Sequence, residues 1–431
     1  MLSSDKLRFV VSQMKQRLWV KPLVLCVLSI GGTFIAMLAD NAGLSGVLPV
    51  ITLKSVESVL SVMASSMLVI ATFAVGSMVA AYASASTGAT PRSIPLVIAD
   101  DVTQNALSAF LGAFIFSIVS LITVQNGLFE SAGLFAIFIL TLLVFAIVIT
   151  TFVRWVDRIA RLGRVVNTIE QVEKAAAEAL NSRRHGPTLG GVRMLPHQAR
   201  EAGMVICSPT VGYVQHIDLE RLQSSAEALD CRVIVKALPG TFVYTRLPLL
   251  SVMGCAESGI AFDPDAFSRA FTISSNRTFE VDPRFGLLAL SEIADKALSP
   301  GINDPGTAIN VIGTLIRLFT LWQSPLEAEK VMEITYDRVS VPELKIDDLF
   351  DDAFTAIARD GAGMVEVSIR LQKACRALAE TGDTQMAAAA RKHSRRALAQ
   401  SEAALVLADD IDAVRAEAAF SAPQAQKHGS D

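Results

Sequence analysis

Four long apolar segments in the first third of the chain constrain its fold more than any other feature. They cover about 22–39, 59–83, 106–124 and 132–153, and none of them contains Asp, Glu, Lys, Arg or His. A helix needs about 20 predominantly apolar residues to cross the hydrocarbon core of a bilayer. We therefore predict a transmembrane domain over residues 1–155 with four spanning helices in contact with lipid.

The composition agrees with a membrane protein. Of the 431 residues, 52% are hydrophobic and only 19% are charged, whereas about a quarter of the residues of a soluble domain are charged. The net charge of -4 gives no reason to expect nucleic acid as a partner. The cysteines match no zinc or redox spacing, so we expect reduced thiols, as in a cytoplasmic domain. They are Cys26, Cys207, Cys231, Cys255 and Cys375.

The distribution of Lys and Arg predicts the orientation. Basic residues accumulate before the first segment and after the fourth, and the loop between the second and third segments holds Arg92, while the two opposite loops hold only Lys54. Loops rich in Lys and Arg stay on the cytoplasmic side. Both termini are therefore predicted to be cytoplasmic. The residues expected at the membrane surface are Pro91, Arg92, Arg154, Arg158 and Arg161.

The second segment carries a stripe of small and hydroxyl-bearing residues on one helical face. In lipid, small residues let helices approach closely and hydroxyls can bond across the interface. One interpretation is helix packing, within the bundle or between protomers; the other is the wall of a water-filled path. The missing intramembrane charges argue against a proton-coupled pump but leave a hydroxyl-lined channel open. The stripe consists of Ser61, Ser65, Thr72, Gly76 and Ala80, with Ser66 and Ser77 on a neighbouring strip.

The rest of the chain is predicted to form a cytoplasmic α+β domain. An amphipathic stalk and linker covers 156–202, a small strand-rich module 203–265, a helical domain 266–419 and a disordered tail 420–431. Short β-branched runs predict strands at 204–207, 212–216, 231–236, 241–244 and 249–253. The predicted helices are 218–229, with Asp218 as its N-cap, 284–298, 304–322, 341–359, 363–381 and 383–419.

The stretch LPGTFVYTRLPLLSV, residues 238–252, predicts a hairpin in a small β-barrel-like module. It is similar in shape to the half-barrel repeats of biotinyl and lipoyl carrier domains. The lysine-bearing modification motif of those domains is missing, so only the shape carries over.

The segment from Ser299 to Gly306 carries the most unusual chemistry of the C-terminal part. Asp304 before Pro305 predicts a helix start, because Asp is a favoured N-cap and Pro a favoured first residue. One interpretation is a rigid, capped turn; the other is a ligand, ion or partner-contact loop. The residues considered for that second role are Arg277, Asp282, Ser299, Gly301, Asn303 and Asp304. A structural ion pair is the competing role for Arg277 and Asp282.

No catalytic or metal signature accompanies these residues. The five histidines have no ligand spacing, and the chain carries no phosphate loop, dinucleotide fingerprint or Ser-His-Asp pattern. We therefore expect neither an enzyme nor a cofactor.

Four stretches resemble a known family. They are ASTGATPRSIPLVIADDVTQNALSAFLGAFIFSIV from Ala85, GYVQHIDLERL from Gly212, the LPGTFV stretch, and RTFEVDPRFGLLALSEIADKALSPGINDPGTA from Arg277. The chain resembles the bacterial predicted membrane proteins called domain of unknown function 2254, from about residue 19 to 378. The resemblance implies the inner membrane of a bacterium but no activity. Family members more often have Ser-Ser-Gln and an aromatic residue before Pro91, where this chain has STGAT.

Two functions fit these features. The first is a homo-oligomeric membrane protein that forms a channel or permeation path, gated by its cytoplasmic domain. The second is a membrane-anchored sensor or scaffold without transport activity. The small-molecule or ion ligand of either form is not specified by the sequence.

Overall fold

The structure is a computed structural model that describes most of the chain in two compact units. The described residues are 20–40, 49, 51–88, 90–98, 101–159, 164–198, 203–254, 262–326 and 332–422. Of these, the N-terminal unit comprises the residues up to 168, and the C-terminal unit comprises the residues from 169 onward.

The N-terminal unit is built from helices. Helix α4 packs against α1, α2 and α5 and is therefore the centre of the bundle. A 3₁₀ turn, Pro91–Ser93, precedes the short α3. The helices are α1 (Val20–Asp40), α2 (Leu53–Gly88), α3 (Ile94–Ile98), α4 (Asp101–Gln125) and α5 (Ser131–Ile159).

Among the described residues, three helices are long and apolar enough to cross a membrane. They are Leu53–Ser84 within α2, Val102–Gln125 within α4 and Ser131–Ile159, which is α5. The apolar helix described within α1 is the shorter Pro22–Phe34. The prediction of four spans is thus matched by three helices of spanning length.

Large aromatic side chains fill the interior of the N-terminal unit. Phe110, Phe116 and Trp155 are at most 1% exposed, and the rings of Phe110 and Trp155 meet edge to face with centroids 6.1 Å apart. Large apolar side chains also cover the outside of the same helices, among them Val69 and Val153, each more than 60% exposed. A continuous apolar exterior of this kind marks a surface that contacts lipid.

The C-terminal unit contains two open sheets. Helix α6 (Val165–His185) leads into a five-stranded sheet of order β1-β8-β4-β6-β2, and a three-stranded sheet has the order β5-β3-β7. Strand β8 is parallel to β1 and β4, and the other described pairings are antiparallel. The strands are β1 (Gly191–Arg193), β2 (Met204–Cys207), β3 (Gly212–Ile217), β4 (Arg232–Val235), β5 (Phe242–Val243), β6 (Pro248–Met253), β7 (Phe271–Ser274) and β8 (Tyr336–Val341).

One apolar core joins the two sheets to helix α7 (Leu219–Ala228). It contains Val233 and Val252 of the larger sheet, Val214 of the smaller sheet and Leu222 of α7, each at most 3% exposed. Asp218 caps α7 by accepting a hydrogen bond from the backbone N–H of Arg221 at 3.0 Å, as its position before the helix predicted.

The prediction of a barrel-like module with a hairpin over 238–252 is wrong. The described strands close no barrel. Strand β5 pairs with β3, whereas β6 pairs with β2 and β4 in the other sheet. The chain between β5 and β6 therefore crosses from one sheet to the other instead of closing a hairpin.

Helices form the remainder of the C-terminal unit. They are α8 (Pro264–Ser268), α9 (Pro283–Leu298), α10 (Pro305–Gln323), α11 (Ile346–Asp360), α12 (Val365–Ala379), α13 (Thr384–Ala404) and α14 (Ala408–Ala418). The expected helix 341–359 begins later, because Val339 and Val341 are fully buried in strand β8. The expected helix 383–419 is interrupted over 405–407.

Some predictions fall outside the described residues. Arg161, Cys255 and residues 423–431 of the expected tail are among them. The described start of that tail is structured, since Ala419–Ser421 is a 3₁₀ turn in which Ser421 is 2% exposed.

Candidate functional site

The predicted stripe of α2 lies on the outward side of the helix. Ser61, Ser65, Thr72, Gly76 and Ala80 are all exposed, and the neighbouring strip, Ser66 and Ser77, is half-buried. The opposite face packs into the bundle. Its buried residues are Val56, Leu60, Met63, Ala64, Met67, Ala71, Ala74, Met78 and Ala81. Within the N-terminal unit, the stripe therefore has no packing role.

Two hydroxyls of the stripe, those of Ser65 and Thr72, bond to their own helix. Ser65 donates to the carbonyl oxygen of Ser61 at 3.0 Å, and Thr72 donates to that of Leu68 at 2.9 Å. Such back-bonding removes the need for a partner across the interface. These two hydroxyls can therefore face lipid or a second helix without being left unpaired.

The serines of α4 have the opposite placement. Ser108, Ser117 and Ser120 are fully buried. Ser108 and Ser117 donate to carbonyl oxygens one turn earlier, at 2.6 and 2.7 Å, and Ser120 lies 3.2 Å from the Thr33 hydroxyl of α1. These serines pack helices together inside the unit.

Arg277 and Asp282 form a buried ion pair. Arg277 Nε and Nη2 donate to the two carboxylate oxygens of Asp282 at 2.6 and 3.0 Å. Asp282 is 1% exposed and also caps α9 by accepting from the backbone N–H of Phe285. Burial raises the pKa of Asp282, and the hydrogen bonds from Arg277 and Phe285 oppose this shift. The hydrogen bonds of both side chains are thus made to groups of the protein itself.

The turn after α9 is a separate feature. Gly301, Asn303 and Asp304 are exposed and Ser299 is half-buried, while Asn303 adopts a positive φ of 51°. Asp304 accepts from the N–H and hydroxyl of Thr307, and these hydrogen bonds hold its pKa below the ordinary value. Helix α9 separates this turn from Asp282 by roughly 24 Å at 1.5 Å per residue. The six predicted residues therefore do not form one site.

The expected membrane-surface residues lie at helix ends. Pro91 and Arg92 are exposed in the 3₁₀ turn between α2 and α3. Arg154 is exposed and Arg158 half-buried in the last turns of α5. These are the positions at which long basic side chains reach headgroups.

Sequence reasoning missed a cavity of about 320 Å³ in the C-terminal unit. Arg183 and Arg184, near the end of α6, line it and are only 4% and 8% exposed. Consecutive arginines near a helix end are ordinarily solvated, so no local signal in the sequence marks them. The other residues that line this cavity are Pro187, Trp322, Ser324, Leu326, Glu343, Leu344, Ile346, Asp383 and Gln385.

A larger cavity of about 640 Å³ lies over strands β4 and β8. Its charged side chains include Arg338, which pairs with Asp230 at 2.6 Å. No group of metal-binding side chains occurs in the part of the chain that the structure describes.

Comparison with known proteins identifies the family. The model of the family described as predicted membrane protein, domain of unknown function 2254, matches residues 15–377. The chain belongs to this family. This confirms the resemblance found in the sequence.

The curated relatives include uncharacterized proteins of Mycobacterium bovis (Mb1321c) and Mycobacterium tuberculosis (Rv1290c). Each is 34% identical over 111 residues, which is 25% of this chain and 21% of the relative. The match thus spans about a fifth of the length of these relatives. No solved structure matches the chain.

Proposed function

We propose that this protein of the family assembles into homo-oligomers through the outward face of α2, and that a permeation path runs between the protomers. The observation that carries the proposal is the exposure of Ser61, Ser65, Thr72, Gly76 and Ala80 on one face of α2. A stripe of small residues lets a second helix approach closely in lipid.

The interior of one protomer is a poor place for the path. Leu60, Phe110, Phe116, Ile137 and Trp155 are fully buried there, and packed aromatic and aliphatic side chains leave no room for a hydrated solute. A path between protomers instead places back-bonded hydroxyls beside the solute.

We propose that α1 is the fourth span. Its 21 residues extend about 31 Å, which matches the hydrocarbon core. Four spans put both termini on one side, and the exposed Arg92 and Arg154 support a cytoplasmic side. The relatives come from bacteria, which supports the bacterial inner membrane as the proposed location.

Disulfide crosslinking in native membranes tests the assembly. The five native cysteines are replaced, and Thr72→Cys is compared with Thr150→Cys on α5. Thr150 is a matched control, because it is also exposed and back-bonded, to Ala146 at 2.9 Å. Oxidation is expected to yield dimers for Thr72→Cys and few for Thr150→Cys. Equal yields at both positions, or none at either, would contradict assembly through α2.

Reconstitution tests the permeation path separately. Vesicles that contain the protein are expected to release trapped ions or small solutes faster than empty vesicles. Thr72→Leu, which fills the stripe, is expected to reduce this release. If Thr72→Cys forms crosslinks but no salt or solute is released from the vesicles, assembly through α2 is supported and the permeation path is contradicted.

The second candidate is a membrane-anchored sensor. The specific observation in its favour is the cavity with two buried arginines in the C-terminal unit. Neither role requires a catalytic step. Binding of a ligand in that cavity, together with the absence of solute release from reconstituted vesicles, would favour the sensor over the channel.

A further inference from the structure

The guanidinium groups of Arg183 and Arg184 are buried with much of their hydrogen-bonding capacity unused. Each guanidinium carries five N–H donors. Arg183 Nη2 donates to the carbonyl oxygen of Pro342 at 3.3 Å, and its Nε has no partner. Arg184 donates to Asn181 Oδ1 and to the carbonyl oxygen of Ser324, and its Nε also has no partner.

The carboxylates near this arginine pair are engaged elsewhere. Glu343 pairs with Arg193 at 2.8 Å. Asp383 caps α13, accepting from the backbone N–H groups of Gln385 and Met386 at 2.8 and 2.9 Å. Asp282 is held by Arg277. Neither Arg183 nor Arg184 has a carboxylate within ion-pair distance among the described residues.

Burial dominates the electrostatics of Arg183. Burial lowers its pKa to about 10, although Glu343 and Asp282 act to raise it. Burial likewise lowers the pKa of Arg184. A buried charge without a counter-charge is costly, and the usual remedy is an anion with hydrogen-bond acceptors.

We propose that this cavity is a binding site for a phosphate group, held between the guanidinium groups of Arg183 and Arg184. Arginine is the side chain best suited to phosphate, because its planar fork of donors matches two oxygens at once. The volume of about 320 Å³ suits a phosphate monoester. Trp322, Pro187 and Leu326 line the same cavity and give the remainder of the ester an apolar wall. Phosphate binding does not depend on assembly through α2.

The test uses the full-length protein in detergent. Binding of inorganic phosphate and of adenosine monophosphate is measured by Trp322 fluorescence, against sodium chloride at equal ionic strength. The other two tryptophans of the chain are replaced in the background variant Trp19→Phe with Trp155→Phe. Nanodiscs with and without phosphatidic acid distinguish a lipid headgroup from a soluble ligand. Arg183→Met and Arg184→Met are expected to weaken binding by about 10- to 100-fold, the loss of a charge-assisted contact.

Arg338→Gln is the matched control, because Arg338 lines the other cavity and already has a carboxylate partner. It is expected to leave binding unchanged. Thermal unfolding without phosphate separates the site from a purely structural role. Arg183→Met is expected to be as stable as the wild type or more so, because it removes an uncompensated buried charge.

Two results would overturn the proposal. One is binding of phosphate that is equal in wild type, Arg183→Met and Arg184→Met. The other is the absence of any phosphate response in the wild type, together with a lower unfolding temperature of Arg183→Met, which is the behaviour of a structural arginine.

Discussion

The buried pair of Arg277 and Asp282 allows a direct test of whether the most distinctive motif of the chain is structural. Replacement of Arg277 by Ala leaves the Asp282 carboxylate, whose side chain is 2% exposed, without its counter-charge. Breaking a buried pair by removing one partner costs about 3–5 kcal/mol. The guanidinium also lies 5.2 Å from the centre of the Phe285 ring, so a cation–π contact is lost as well.

The assay is thermal unfolding of the full-length protein in detergent, followed by circular dichroism. A loss of 3–5 kcal/mol corresponds to a midpoint roughly 6–20 °C lower in a unit of this size. Arg269→Ala is the matched control, because Arg269 also pairs with an aspartate, Asp263 at 2.9 Å, but both side chains are more than half exposed. Its loss is expected to be below about 1 kcal/mol.

The double variant Arg277→Met with Asp282→Leu completes the test. Replacing both charges by apolar groups is expected to recover part of the lost stability, because no unpaired charge remains. A midpoint shift for Arg277→Ala no larger than that of Arg269→Ala would refute the structural role. Arg277 would then be available for a ligand, as the alternative interpretation of the sequence holds.

Further predictions concern cysteine reactivity, packing and pH. Burial raises the pKa of the Cys375 thiol to about 12, so maleimide should label the exposed Cys207 and spare Cys375, as peptide mass mapping would report; equal labelling would contradict this. A Cβ at Gly286 would lie 2.4 Å from a side-chain carbon of α6, so Gly286→Ala should cost about 1–3 kcal/mol in urea unfolding. Gly301→Ala, with open space around it, should cost less. Burial lowers the pKa of His393, so the unfolded chain takes up the proton first and stability falls below about pH 6.5. The fall from pH 7 to 5 should be shallower in His393→Asn, and an unchanged slope would exclude this histidine as its cause.

Local signals predicted the parts of the fold that depend on neighbouring residues. Asp218 and Asp304 cap the helices that follow them, because an aspartate before a helix accepts from N–H groups only three residues away. Strand β8 was missed because its pairing is with β1 and β4, more than 90 residues earlier in the chain. The false hairpin has the same origin, since a Pro-Gly turn does not specify which strand its neighbour joins.

Prediction of the candidate sites from the sequence fails for the same reason, since their placement depends on residues far apart in the chain. Helical periodicity placed Ser65 and Thr72 of α2 on one face, but it could not tell which way that face points, because both sides of the helix are apolar. Arg183 was missed for a related reason. Its burial depends on contact with Pro342, 159 positions away, and no residue near Arg183 in the sequence indicates that contact.

Gly240 lies where two of the stretches that resemble the family meet in the structure. It belongs to LPGTFV and has a φ of 89°, a backbone angle that residues other than glycine rarely adopt. A Cβ there would meet the carboxylate of Asp282, which belongs to RTFEVDPRF. The glycine thus lets one stretch pack directly on the ion pair of the other, at the start of α9. Gly240 and Asp282 therefore serve the packing of the C-terminal unit, and a functional ligand is better sought at the arginine-lined cavity than at this ion pair.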